Sequence, residues 1–175
     1  MSYLGNNTYV VINSQADNVQ RDATEPNSKF VANLNQLQSM IGRQQLDVAL
    51  WKLSVNVGPS PNNVNATDQL GVLITTNIIS SQTYFGEVKI PLLATFQASQ
   101  VNVKQTFDFS TAPKWHKMLP SVTAIDITLN SEAIGQASDP TLSTLHSCHS
   151  PSKDNSTELI LAFRPSQSTP QSRMS

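Results

Sequence analysis

His146, Cys148 and His149 stand within four positions of one another and form the densest set of metal-ligating side chains in this 175-residue chain. Imidazole and thiolate are ligands that zinc favours, and a structural zinc site needs about four of them at characteristic spacing. No second cluster is present. Cys148 and His149 are adjacent, which makes it hard for both to reach one ion. Asp154 reaches the same ion only if the loop bends back. We therefore read the segment as a solvated loop, keep His146, Cys148 and His149 as weak metal candidates, and expect no cofactor.

The third histidine, His116, lies in Trp115-His116-Lys117-Met118. A catalytic imidazole needs a positioned nucleophile or carboxylate, and the sequence sets none beside it. The acids Asp47, Glu87, Asp108, Asp126, Glu132 and Glu158 are scattered. Asp126 sits between Ile125 and Ile127, so a strand turns it away from the core, toward solvent or a subunit interface. The six glycines form no Gly-x-Gly-x-x-Gly or other phosphate cradle. These patterns point away from an enzyme. A cupin-like enzyme would draw two or three histidines from strands, and two of the three here are close together in one loop.

Composition narrows the class further. Hydrophobic residues make up 38% and charged residues 13%, both below ordinary globular values. Ser, Thr, Asn and Gln fill the difference, as in exposed strands and polar loops. Ten prolines are spread along the chain, which also disfavours helices. Lys and Arg total 11 against 12 acids, with no basic run. Coating nucleic acid needs clustered cations, so direct nucleic-acid binding is not expected. No apolar run approaches the roughly 20 residues of a membrane-spanning helix. The N-terminus lacks the basic and apolar regions of a signal peptide. The single cysteine allows no internal disulfide, which fits a reducing compartment. The Asn-x-Ser/Thr triplets at Asn6, Asn65 and Asn155 are read as chance in a chain of this composition.

The elements that must carry these residues are strands. Leu46 to Val57 is a long run rich in β-branched residues. Val48 and Leu50 share one parity, and Trp51, Leu53, Val55 and Val57 share the other. Alternate side chains of a strand face opposite ways, so the change of parity implies a bulge or a switch of buried face. Trp51 is read as a core anchor, and on that reading Trp51→Ala costs about 3–5 kcal/mol. Further strands are expected at Thr8–Ser14, Lys29–Leu34, Gln69–Ile79, Lys89–Phe96, Val101–Phe109, Val122–Asn130 and Glu158–Arg164. Pro91 should place its strand at an edge or delay its start. Gln69–Ile79 is apolar on both parities, so both of its faces should be covered. Ile125, Ile127, Leu129, Leu159, Leu161 and Phe163 join Trp51, Leu53 and Val55 as predicted core. Residues 35–45 have weak helical spacing, Ser80–Gly86 reads as a loop, and Gln15–Ser28 is another. The fold expected is all-β: a single jelly-roll sandwich of about eight antiparallel strands over residues 1–165, with a flexible polar tail at 166–175.

Four features occur in order along this frame. An Asp-Val-Ala-Leu strand is closed by a proline-bearing turn. A strand ending in an apolar pair leads to Gly86, Pro91, Leu92 and Leu93. Pro113, Trp115, Met118 and Leu119 then run into Ile125, Ile127 and Leu129, with Gly135 after them. Last comes Leu159, Leu161, Phe163 and Arg164. The series, covering roughly residues 8 to 165, resembles the single jelly-roll penton, or minor capsid, proteins of polinton-like elements, adintoviruses and virophages, relatives of the adenovirus-type double jelly-roll lineage. The resemblance implies a homopentamer at the fivefold vertices of a virion, in contact with a double jelly-roll major capsid protein and made in the host cytoplasm or nucleus. The segment 136–156 departs from the pattern as a long irregular insert. Trp115, Tyr84 and Phe85 are the candidate interface residues. A lectin-like or receptor-attachment module is the alternative reading.

Overall fold

The computed structural model describes residues 7–33, 45–57, 70–99, 103–131, 143–144 and 155–166. Thirteen strands follow in chain order: β1 (Thr8–Asn13), β2 (Val19–Arg21), β3 (Lys29–Asn33), β4 (Leu46–Asn56), β5 (Leu70–Thr76), β6 (Thr83–Phe85), β7 (Val88–Ile90), β8 (Leu92–Ala98), β9 (Lys104–Asp108), β10 (His116–Lys117), β11 (Ala124–Ser131), β12 (Ser143–Thr144) and β13 (Glu158–Pro165). No α-helix occurs among the described residues. The expected helical turn at 35–45 lies, but for Gln45, outside them.

One sheet runs β1-β13-β4, with β9 and β10 sharing the far edge of β4. The other runs β2-β3-β11-β5-β8, with β12 beside β11. The two sheets' main pairings are antiparallel throughout. Set aside the short strands β2, β6, β7, β10 and β12, and eight remain. Their sheet orders are then first-eighth-third-sixth and second-seventh-fourth-fifth, which is the jelly roll. Alternation sets the inward face of the regular strands. β11 turns Ile125, Ile127 and Leu129 inward, and all three are completely buried. β13 does the same with Leu159, Leu161 and Phe163, and these meet Leu53, Leu50 and Val48 across β4.

β4 carries the local irregularity that its parity demands. Leu50 pairs with Leu161 and Lys52 with Ile160, so Trp51 is an extra residue without an opposite number. This bulge lets Val48 and Leu50 on one side of it, and Leu53 and Val55 on the other, face the same core. It also turns Trp51 out. Trp51 is half-buried and absent from the core cluster, which corrects its assignment as a core anchor: the residue at the bulge cannot follow either parity set inward.

Smaller differences have similar causes. Ser80–Gly86 is not all loop, because Gly86 (φ 60°) permits a two-residue turn with Glu87. That turn folds β6 back on β7, with Phe85 opposite Val88. The first long loop contains β2, which pairs with β3. β8 begins after Pro91 and lies at a sheet edge. β5 buries Val72 and Ile74 inward and Leu73 on its outer side. Ser166, assigned to the tail from the sequence, is bonded to Gln45 O (2.8 Å) and to Asp47 Oδ1 (2.7 Å).

A buried polar node fixes the loop between β1 and β3 against the start of β13. The Ser14 hydroxyl donates to Asn27 Oδ1 (2.8 Å) and accepts from the Thr157 amide (2.9 Å). The Thr157 hydroxyl donates to Asn27 O (2.6 Å), and Ser14 N donates to Thr157 O (2.9 Å). All three residues are essentially inaccessible to solvent, so each bond replaces one that water would otherwise make.

Two substitutions test this arrangement. Leu53→Ala, in the sealed core, should cost about 2–5 kcal/mol, and Trp51→Ala should cost distinctly less because part of its ring is already in water. Urea unfolding of both variants measures the difference. Equal losses would mean that Trp51 belongs to the core after all.

Candidate interaction surface

The outer face of the β1-β13-β4 sheet brings together residues that the sequence holds far apart. Tyr9, Ala162 and Ala49 lie side by side in register. The two alanines point away from the core cluster and yet are fully buried. Their small side chains leave room for rings above the sheet. Tyr9 and Trp51 meet edge to face at 5.4 Å, and Trp51 and Trp115 are tilted at 6.5 Å. Arg164 lies over the Trp115 ring at 4.0 Å from its centroid, a cation–π contact. Its Nε also donates to Asp47 Oδ2 at 3.4 Å, from directly opposite in the register. Asp47 is therefore held by Arg164 and Ser166 together.

The position of Trp115 follows from the bulge. β9 pairs with β4 up to Lys52, and the Phe109 amide then donates to Trp51 O at 3.0 Å. The strand breaks there, and β10 resumes pairing at Val48 and Asp47. Residues 110–115 form the detour between them, and Trp115 ends it beside Trp51.

Immediately after Trp115, His116 turns inward opposite Val48 and is buried. Nε2–H donates to Leu93 O in the other sheet at 2.9 Å. That leaves Nδ1 to accept from the Ser81 hydroxyl at 2.8 Å. Adjacent backbone bonds join the same segment to the chain that follows β5, Leu119 N to Ile78 O (2.7 Å) and Ser80 N to Lys117 O (3.0 Å), while Met118 N to Leu46 O (2.9 Å) continues the ladder to β4. His116 is thus a neutral strut between sheets. Burial lowers its pKa from the usual 6.5, the bond to Leu93 raises it, and the charge of Lys114 lowers it further.

The other sequence candidates fall elsewhere. Tyr84 projects from the β6-β7 hairpin and is 70% exposed, with Phe85 half-buried beside it. His146, Cys148, His149 and Asp154 lie outside the described residues. Among the described residues no group of three or more His, Cys, Asp or Glu is placed to hold a metal ion. Asp126 is on the outer side of β11, where its amide bonds to Asn77 Oδ1 (2.9 Å) and its Oδ1 is buried without a partner. Among the described residues no helix is long and apolar enough to cross a membrane.

Tyr9 and Asp47 were not legible as parts of one surface. The available signal was the pair of alanines at 49 and 162, each flanked by larger apolar residues, but it means nothing until β1, β13 and β4 are known to be neighbours.

No protein-family model matches the chain, and no curated protein does. Among solved structures, a chain in the X-ray structure of tomato aspermy virus aligns over 95% of this chain and 81% of its own, at 12% identity and a TM-score of 0.26. A chain in the nora virus structure aligns over 96% of this chain and 61% of its own, at 11% identity and a TM-score of 0.27. At these values the likeness adds nothing to the strand order described above.

The His116 strut makes stability depend on pH. In the unfolded chain the ring titrates near 6.5, and in the fold it titrates lower. Unfolding therefore takes up a proton between the two values. The contribution is complete above about pH 6.5 and shrinks as pH falls through the window below it. Urea midpoints measured at pH 7.5 and pH 5.5 should drop at the lower pH, and His116→Gln should drop less. The same drop in both proteins would remove His116 as the cause.

Proposed function

We propose that the chain is a structural capsid protein, a single jelly-roll penton that assembles as a homopentamer at virion vertices against a double jelly-roll major capsid protein. The observation that carries this reading is a convergence. Asp47, Trp115 and Arg164 come from three of the four segments on which the family resemblance rests. Arg164 touches both of the others, and all three lie on one sheet face beside exposed Tyr9. Residues spaced through the whole chain thus serve one surface rather than separate loops. The jelly roll supplies the scaffold, although a fold alone assigns no function.

The mechanism is assembly. A cyclic ring needs heterologous contacts, one patch on each subunit against a different patch on the next. The aromatic sheet face and the β6-β7 hairpin are two distinct surfaces of that kind. Tyr84, exposed at the hairpin, also favours the second reading, a lectin-like or receptor-attachment module, because an exposed ring can stack on a sugar or a protein partner.

Native mass spectrometry of the purified chain should give pentamers, and particles should show its density at fivefold vertices. A monomer at high concentration with empty vertices would sink the proposal. Tyr84→Ala should leave the urea midpoint unchanged and weaken ring or capsid association. Loss of glycan-array binding in that variant, with pentamers intact, would favour attachment instead.

A further inference from the structure

We propose that β1 is a docking edge for a second copy of this chain, its β1 adding antiparallel about a twofold axis at Val10. A sheet edge presents unpaired backbone groups, and proteins blunt such edges with charge, proline, bulges or brevity. Three edges here are blunted. β2 has three residues and carries Arg21. β8 follows Pro91 and carries an extra residue, Leu93, opposite Ile74 and Thr75. The edge made by β9 and β10 is broken in the middle and carries Lys104, Asp108 and Lys117. β1 has none of these devices. It is six residues long, uncharged, free of proline and regular in its pairing with β13.

The outward groups of β1 can be named. Ser14 N bonds to Thr157 O, directly continuing the ladder to β13. In a regular antiparallel strand the backbone groups alternate in direction. Those of Val10 and Ile12 therefore face β13, and those of Tyr9 and Val11 face the open edge. Among the described residues nothing pairs with that edge. The side chains of the same two residues are 49% and 60% exposed.

These features are self-complementary. With Val10 opposite Val10 of the second copy, Tyr9 falls opposite Val11. Each such pair exchanges both backbone hydrogen bonds, and the two pairs make four bonds in all. On the outer face the same register sets an aromatic ring against a β-branched side chain, a favourable cross-strand pair. An uncharged edge is matched by a neutral strand, and β1 is the one unblunted edge strand among the described residues. The contact goes beyond the capsid reading: it is isologous, so it would be additional to the heterologous contacts that close a ring.

Cysteine cross-linking in a Cys148→Ser background tests it. Val10→Cys should oxidise to a covalent dimer, since directly opposed residues lie within disulfide reach. Thr8→Cys, well off the axis, should not. If neither variant cross-links, or both do equally, the register proposed is wrong. Val11→Lys puts a charge on the edge and should weaken the association at least about tenfold in sedimentation velocity. An unchanged association overturns the proposal. The Tyr9 and Val11 amides should be protected from hydrogen exchange at high concentration and lose protection on dilution. Protection at every concentration would mean that the chain covers its own edge, and none at any concentration would mean that nothing does; either refutes the contact. Pentamer counts by native mass spectrometry are read separately, so a failed β1 contact leaves the ring reading standing, and the reverse.

Discussion

One extra residue in β4 governs much of what is specific to this molecule. Without the bulge at Trp51, Val48 and Leu50 would face one side of the sheet and Leu53 and Val55 the other. The core would lose half of its longest strand. The bulge reconciles the two runs and ejects a tryptophan as its by-product. The partner edge responds: β9 stops at the bulge, the chain detours, and β10 takes up the pairing again at Val48, three residues before Trp51 on β4. Trp115 and His116 are adjacent products of that detour, one turned out over the sheet and the other turned in between the sheets. The aromatic face and the inter-sheet strut therefore share one local cause.

Burial then sets what each residue can do. Tyr9, Trp51 and Trp115 touch in series on the outer face of the sheet and leave part of their surface in water, which suits them to contact. Arg164 is occupied by a ring and a carboxylate at once, so it orders the surface more than it offers a free charge. His116 is sealed and bonded on both nitrogens, so its chemistry is support. The Ser14–Asn27–Thr157 node has the same character. Its polar groups satisfy one another, and their value lies in defining one geometry between loop and strand.

The sequence carried the strands well because alternation is a local property. Ile125, Ile127 and Leu129 announce an inward face whatever lies beside them, and the parity break at Leu50-Trp51 announced a bulge. It did not say which residue would be expelled, and a large ring invited the wrong assumption. The surface was less legible still. Tyr9, Asp47, Trp115 and Arg164 become neighbours through pairings between the first, third and last long strands, and no local pattern encodes those. The short strands β6 and β10 were missed because two or three residues carry no periodicity.

The place of β13 has a consequence for how the molecule is made. The strand emerges last among the thirteen, and yet it lies in the middle of its sheet, between β1 and β4, which do not pair with each other. Until it is synthesised, β1 has no partner in its sheet and β4 shows one bare side. The opposite sheet, by contrast, can assemble from strands already made. Chain growth thus leaves an open slot lined by apolar side chains, closed only by contacts of very long sequence separation. Such contacts form slowly, and while the slot stays open on a nascent chain it is exposed to the corresponding strand of a neighbour as well as to its own.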